Sequence, residues 1–182
     1  SVSKANTLNR IIHQGKVWEL HFGGKKAVMK DSKGLHDLRQ LLTHPLKEFH
    51  CMDLMNAGVD ESHQVETVDE KTIKQVYDRI KELQEEIEQA ELEQTNQEIN
   101  SMREEYDRLL DYASGALAKG GKTRTLDSTL EKARSAATWR IRSTIKRISE
   151  KHSELGNHLK QHIKTGVQCV YQPIDPTPWA DS

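Results

Sequence analysis

Ile73, Val76, Ile80, Leu83, Ile87 and Ala90 recur at alternating spacings of three and four, and Ile99, Met102, Tyr106, Leu109, Ala113 and Ala116 repeat the pattern. Such a seam puts every apolar side chain on one face of a helix, and that face has to be covered by another helix. The two seams are out of phase, and 91–97 carries no continuation of either. The slip favours two antiparallel helices turning near 94–96 over a single rod. The residues of the seam, Ile73, Val76, Ile80, Leu83, Ile87, Ile99, Met102, Tyr106 and Leu109, are also the candidate contacts for pairing with a second copy or another protein.

Shorter elements flank this hairpin. The bulky residues of KVWELHF (16–22) and KKAVMK (25–30) surround Gly23-Gly24, a two-residue β-hairpin signal. Leu35, Leu38, Leu41 and Leu42 recur at helical spacing ahead of Pro45, which predicts a helix over 33–44. An extended piece at 47–50 and a helix over 52–56 follow. Downstream, Leu130, Ala133, Ala137, Ile141, Ile145 and Ile148 predict a long helix over 128–151, interrupted by HSELG. A helix over 157–164, a strand over 167–171 and a proline-rich tail complete the reading. The fold class is α+β, mostly α. The expected domains are 1–70, a winged-helix-like unit with a β-hairpin; 71–118, the helical hairpin; and 119–182, a basic helix, short helix and strand that pack back on the first unit.

The 182 residues carry a formal net charge of −1, so nucleic-acid binding would have to come from local patches. Cys51 and Cys169 are the only cysteines, too few for a disulfide framework or a thiolate metal site. No apolar run approaches the ~20 residues of a membrane span, and the expected location is the cytoplasm. The leading Ser suggests a segment of a longer polypeptide.

The tetrapeptide GGKT at 120–123 invites a phosphate-binding reading. A P-loop, however, places a further glycine at 116, which is Ala, and needs a strand where the heptad helix runs. The stretch is read instead as a basic hinge between helices. His158 and His162 have the i, i+4 spacing of two metal ligands, and His152 and Cys169 could be added. The HExxH pattern is absent, since Leu159 follows His158, and the pair is read as helix histidines with no metal assigned. Neither a nucleophile elbow nor an isolated carboxylate pair is present. No enzyme, catalytic residue or cofactor is expected.

Basic residues cluster twice: at Lys16, Lys25, Lys26, Lys30 and Lys33, and from Lys119 through Lys122, Arg124, Lys132, Arg134, Arg140, Arg142, Lys146 and Arg147 to Lys151. Surfaces of this kind attract phosphate backbones through counterion release. They can equally neutralise the glutamates of 82–98 within one bundle.

The segment VMKDSKGLHDLRQLLTHPLKEFHCMDLMNAG followed by TIKQVYDRIKEL resembles the winged-helix DNA-binding domain of bacterial response regulators. The resemblance implies a recognition helix over 72–83, with Lys74, Gln75, Asp78, Arg79 and Lys81 facing the major groove. GGKTRT, EKARSAATWRIRSTIKRI, LGNHLKQHIKTGVQCVYQP and the closing PW are similar to a C-terminal module of large bacterial signalling ATPases and tetratricopeptide-repeat regulators. That resemblance implies a regulatory or interaction domain without catalytic residues.

The resulting expectation is a non-enzymatic regulatory module of the DNA-binding transcription-regulator type. Its nucleic-acid contacts would be Lys74, Arg79, Lys81, Lys122, Arg124, Arg140, Arg142, Lys146 and Arg147. The alternative is a protein-interaction or dimerisation module whose acidic hairpin takes the partner. Expected partners are DNA, a protein or upstream domain of the same polypeptide, or a second copy, and no membrane.

Overall fold

The computed structural model describes residues 8–56, 69–94, 96–119, 126–175 and 177–180. The fold is α+β and mostly helical. It divides into two units: residues 1–50 with 140–182, and residues 51–139.

In the first unit, β1 (Asn9–Gln14), β2 (Val17–Phe22) and β3 (Lys25–Lys30) form an antiparallel meander, extended by β7 (Trp179–Ala180), which lies parallel to β1. Gly23 and Gly24 have φ of 58° and 81°, the two positive values that a type I′ hairpin turn requires. Alternation sends Ile11, Trp18, Leu20, Ala27 and Met29 inward, with Trp18 opposite Met29 and Leu20 opposite Ala27. Helix α1 (Lys33–Thr43) buries Leu35, Leu38, Leu41 and Leu42, the four leucines whose spacing defines it.

A second small sheet orders β4 (Phe49–His50), β6 (Gln168–Tyr171) and β5 (Ile163–Lys164). The late strands therefore close onto the early ones.

The second unit is helical. It contains α2 (Cys51–Asn56), α3 (Glu70–Glu93), α4 (Asn96–Lys119) and the first half of α5 (Leu126–Lys151). Asp69 starts α3 by accepting from the Thr72 amide, and Gln94 ends it in the left-handed region at φ 57°. The chain then reverses into α4, so the out-of-phase seams do mark an antiparallel hairpin. The second half of α5 belongs to the first unit together with α6 (Ser153–His162).

Several boundaries differ from the sequence reading. Strand β1 precedes the expected hairpin, because NRIIHQ is held by its partners β2 and β7 and not by a pattern of its own. The break expected at HSELG narrows to His152, which separates α5 from α6 and caps α6 by accepting from the Leu155 amide, so the second helix starts at Ser153, four residues earlier than expected, and ends at His162. The first unit does not run through residue 70. It breaks after His50, because β4 pairs with β6 whereas α2 packs on α4.

Candidate functional site

Burial and hydrogen bonding divide the expected nucleic-acid contacts into distinct groups. Arg79 Nε and Nη2 donate to Glu105 Oε1 and Oε2 at 3.0 and 3.1 Å, while Nη1 reaches Glu86 at 3.1 Å and Glu82 at 3.3 Å. The hydrogen bonds to Glu105 hold the guanidinium pKa above its ordinary value, and the same bonds hold the Glu105 carboxyl below its own. A cation bound by three carboxylates has little charge left for a phosphate.

Arg140 is only 4% exposed and donates to both carboxylate oxygens of Asp37, itself 3% exposed. It is an interior residue of the first unit and not part of a basic surface. Arg142 Nη2 bonds the Ile163 carbonyl at 3.1 Å, and Arg147 Nη2 reaches Thr144 Oγ1 at 3.3 Å. Lys74, Lys81 and Lys146 are exposed. Lys122 and Arg124 lie outside the described residues, as does the GGKT stretch. In the N-terminal basic cluster, Lys25 pairs with Glu154 at 2.6 Å and Lys26 with Glu19 at 3.7 Å.

The seam residues face inward within the second unit. Ile80, Leu83, Ile87, Ile99 and Tyr106 are buried, while Ile73, Val76, Met102 and Leu109 are half-buried. Among the described side chains of α4, Leu110 and not Leu109 is fully buried, since the buried line runs Ile99, Tyr106, Leu110, Ala113. Tyr106 ties three helices: its hydroxyl donates to the Ala136 carbonyl at 2.7 Å and accepts from Gln84 at 3.1 Å. The seam is thus filled by the chain itself.

What the second unit leaves outside is acidic. Residues 82–98 hold seven glutamates and neither Lys nor Arg. Glu82, Glu85, Glu86, Glu88, Glu93 and Glu98 are exposed, and Leu92 beside them is 79% exposed.

The first unit holds two histidine clusters. His158 Nε2 is 2.6 Å from the Tyr171 hydroxyl, which accepts from the Trp179 indole at 3.2 Å. Burial, then the nearby His162, lowers the His158 pKa. His162 directs Nδ1 at the His158 carbonyl at 2.7 Å.

The other cluster escapes the sequence reading. His13 on β1, Asp31 after β3 and His36 in the first turn of α1 bring their ligand atoms within 4.8 Å of one another. Burial lowers the His36 pKa against the opposing pull of Asp31. For Asp31, burial acts upward, but the Trp18 hydrogen bond and the neighbouring histidines outweigh it and leave the carboxyl below its ordinary value. Sequence separations of 18 and five have no motif value, and only the cross-strand register of His13 with Trp18 hints at the approach.

No protein-family model, curated protein or solved structure matches the chain significantly. The functional reading rests on the geometry.

Proposed function

We propose that the chain is a non-enzymatic regulatory interaction module that offers the acidic outer face of its helical hairpin to a basic segment of a partner protein. One observation carries this reading. The 82–98 stretch has seven glutamates without a basic residue, and its free face joins exposed carboxylates to the exposed Leu92. A field of one sign steers an oppositely charged partner and repels phosphate, and an apolar side chain within it gives the complex something to bury. Arg79 is already neutralised by Glu82, Glu86 and Glu105, and Arg103 pairs with Glu91 at 3.0 Å.

The test is a salt-titrated anisotropy measurement with two fluorescent probes, an amphipathic Lys/Arg-rich peptide and a random-sequence DNA duplex. The peptide binds at low salt, and Glu85→Lys with Glu93→Lys weakens it by about tenfold or more, as removal of attractive charge requires. DNA binding lost in Lys74→Ala/Lys81→Ala, with no peptide binding, would replace this reading with the nucleic-acid one.

A further inference from the structure

We propose that His13, Asp31 and His36 form a binding site for one divalent transition-metal ion of the zinc type. Their ligand atoms converge from three separate elements. Asp31 Oδ1 lies 3.1 Å from His36 Nε2, and Asp31 Oδ2 lies 3.5 Å from His13 Nε2. Two ligands each about 2.1 Å from a tetrahedral ion stand about 3.4 Å apart, so both pairs already have nearly the required separation. Small rotations of the imidazoles bring all three onto a common ion.

The orientation of His13 is the second observation. Its Nε2 is buried and makes no hydrogen bond among the described residues, with Asp31 Oδ2 standing 3.5 Å away. An orphaned ring nitrogen costs stability, and a metal ion is the ligand that would satisfy it.

A third observation is the support behind the ligands. The Trp18 ring stacks on the His13 ring at 4.6 Å and 14°, and meets the His36 ring edge-on at 4.8 Å. Its indole N–H donates to Asp31 Oδ1 at 2.6 Å. Trp18 is 0% exposed, so a rigid core residue sets the direction of all three ligands, the role that outer hydrogen bonds and packing play around a metal.

The chemistry of the donors selects the ion. Two imidazole nitrogens and one carboxylate suit zinc, cobalt or nickel and are a poor set for magnesium or calcium, which take oxygen. The side chains of Asp31 and His36 are 37% and 41% exposed, which leaves an approach for the ion and room for water as the remaining ligand.

Isothermal titration of the EDTA-treated full chain with zinc chloride, paralleled by the visible absorption of the cobalt(II) form, tests the site. The expected result is one ion per chain with a micromolar or tighter dissociation constant. His13→Ala and His36→Ala each weaken binding at least tenfold and abolish the cobalt spectrum. Asp31→Asn, which preserves shape, does the same, while His158→Ala/His162→Ala binds like the parent. Circular dichroism identifies variants that remain folded, and His13→Asn replaces His13→Ala if the latter unfolds. Absence of binding at millimolar zinc, or binding unchanged in folded His13 and His36 variants, overturns the proposal.

Discussion

Arg140 and Asp37 stand 103 residues apart in the chain and meet as a buried ion pair, Nε on Oδ2 at 2.8 Å and Nη2 on Oδ1 at 3.0 Å. Both charges have left water, so removing one strands the other. Asp37→Ala is expected to destabilise the fold by about 3–5 kcal/mol. Replacing both, as Asp37→Leu/Arg140→Met, recovers much of that loss, because an apolar pair leaves no buried charge. Urea unfolding of the two variants checks the ordering, and a single substitution as mild as the double would contradict it.

Gly34, at the start of α1, lies directly against Thr144. A Cβ added there overlaps Thr144 Oγ1 and crowds its Cβ. Gly34→Ala should cost about 1–3 kcal/mol through overpacking. Adding Thr144→Ala should return part of this by removing the hydroxyl. Thermal unfolding of the single and double variants measures the coupling.

The Tyr106 hydroxyl bonds both the Ala136 carbonyl and Gln84. Tyr106→Phe keeps the ring but removes the hydroxyl's bonds to the Ala136 carbonyl and to the Gln84 amide, at an expected cost of about 1–2 kcal/mol. Its effect belongs to the helical unit, so amide exchange should rise in α3 and α4 first.

Gln94 holds a left-handed backbone at φ 57° to turn α3 into α4. A side chain there costs about 1 kcal/mol relative to glycine. Gln94→Gly is expected to raise the unfolding midpoint of the hairpin, one of the few glycine substitutions that should stabilise a helical protein.

Stability should also fall in mild acid. His158 has a folded pKa below the ordinary histidine value of 6.5, because burial, then His162, opposes its charge. Above that value folded and unfolded chains are both neutral at this ring. Below it the unfolded chain takes up a proton that the folded chain resists, so stability is lost as pH drops through the lowered folded value. His158→Gln should flatten the slope of unfolding free energy against pH below about 6.5, measured by urea titration. His36, also lowered by burial, contributes in the same direction and keeps the slope above zero.

What could be read in advance was local. The leucines of α1, the Gly23-Gly24 turn and the two seams of the hairpin announce themselves within a dozen residues, because each pattern is the physical requirement of its own element. Strand β1 was invisible because its stability comes from β2 and β7, and β7 is far along the chain. Arg140 looked like one member of a basic surface, since nothing near it in sequence shows that Asp37 is waiting inside. The same distance hid His13 from Asp31 and His36, which meet only after the meander has formed. Leu110 displaced Leu109 because the buried line of α4 drifts by one residue from a strict heptad.

The first unit is assembled from both sides of the second. Residues 51–139 are made before β7 and β6, the late partners of β1 and β4, whose last residues are 180 and 171. During that interval the meander holds Ile11, Trp18 and Leu20 without the C-terminal segment of their own unit. A folded insert replaces a long flexible loop, which lowers the entropy that joining β4 to β6 must overcome. The edge of β1 and the pairing of β4 can thus be sealed only once the C-terminal segment carrying β6 and β7 has been made.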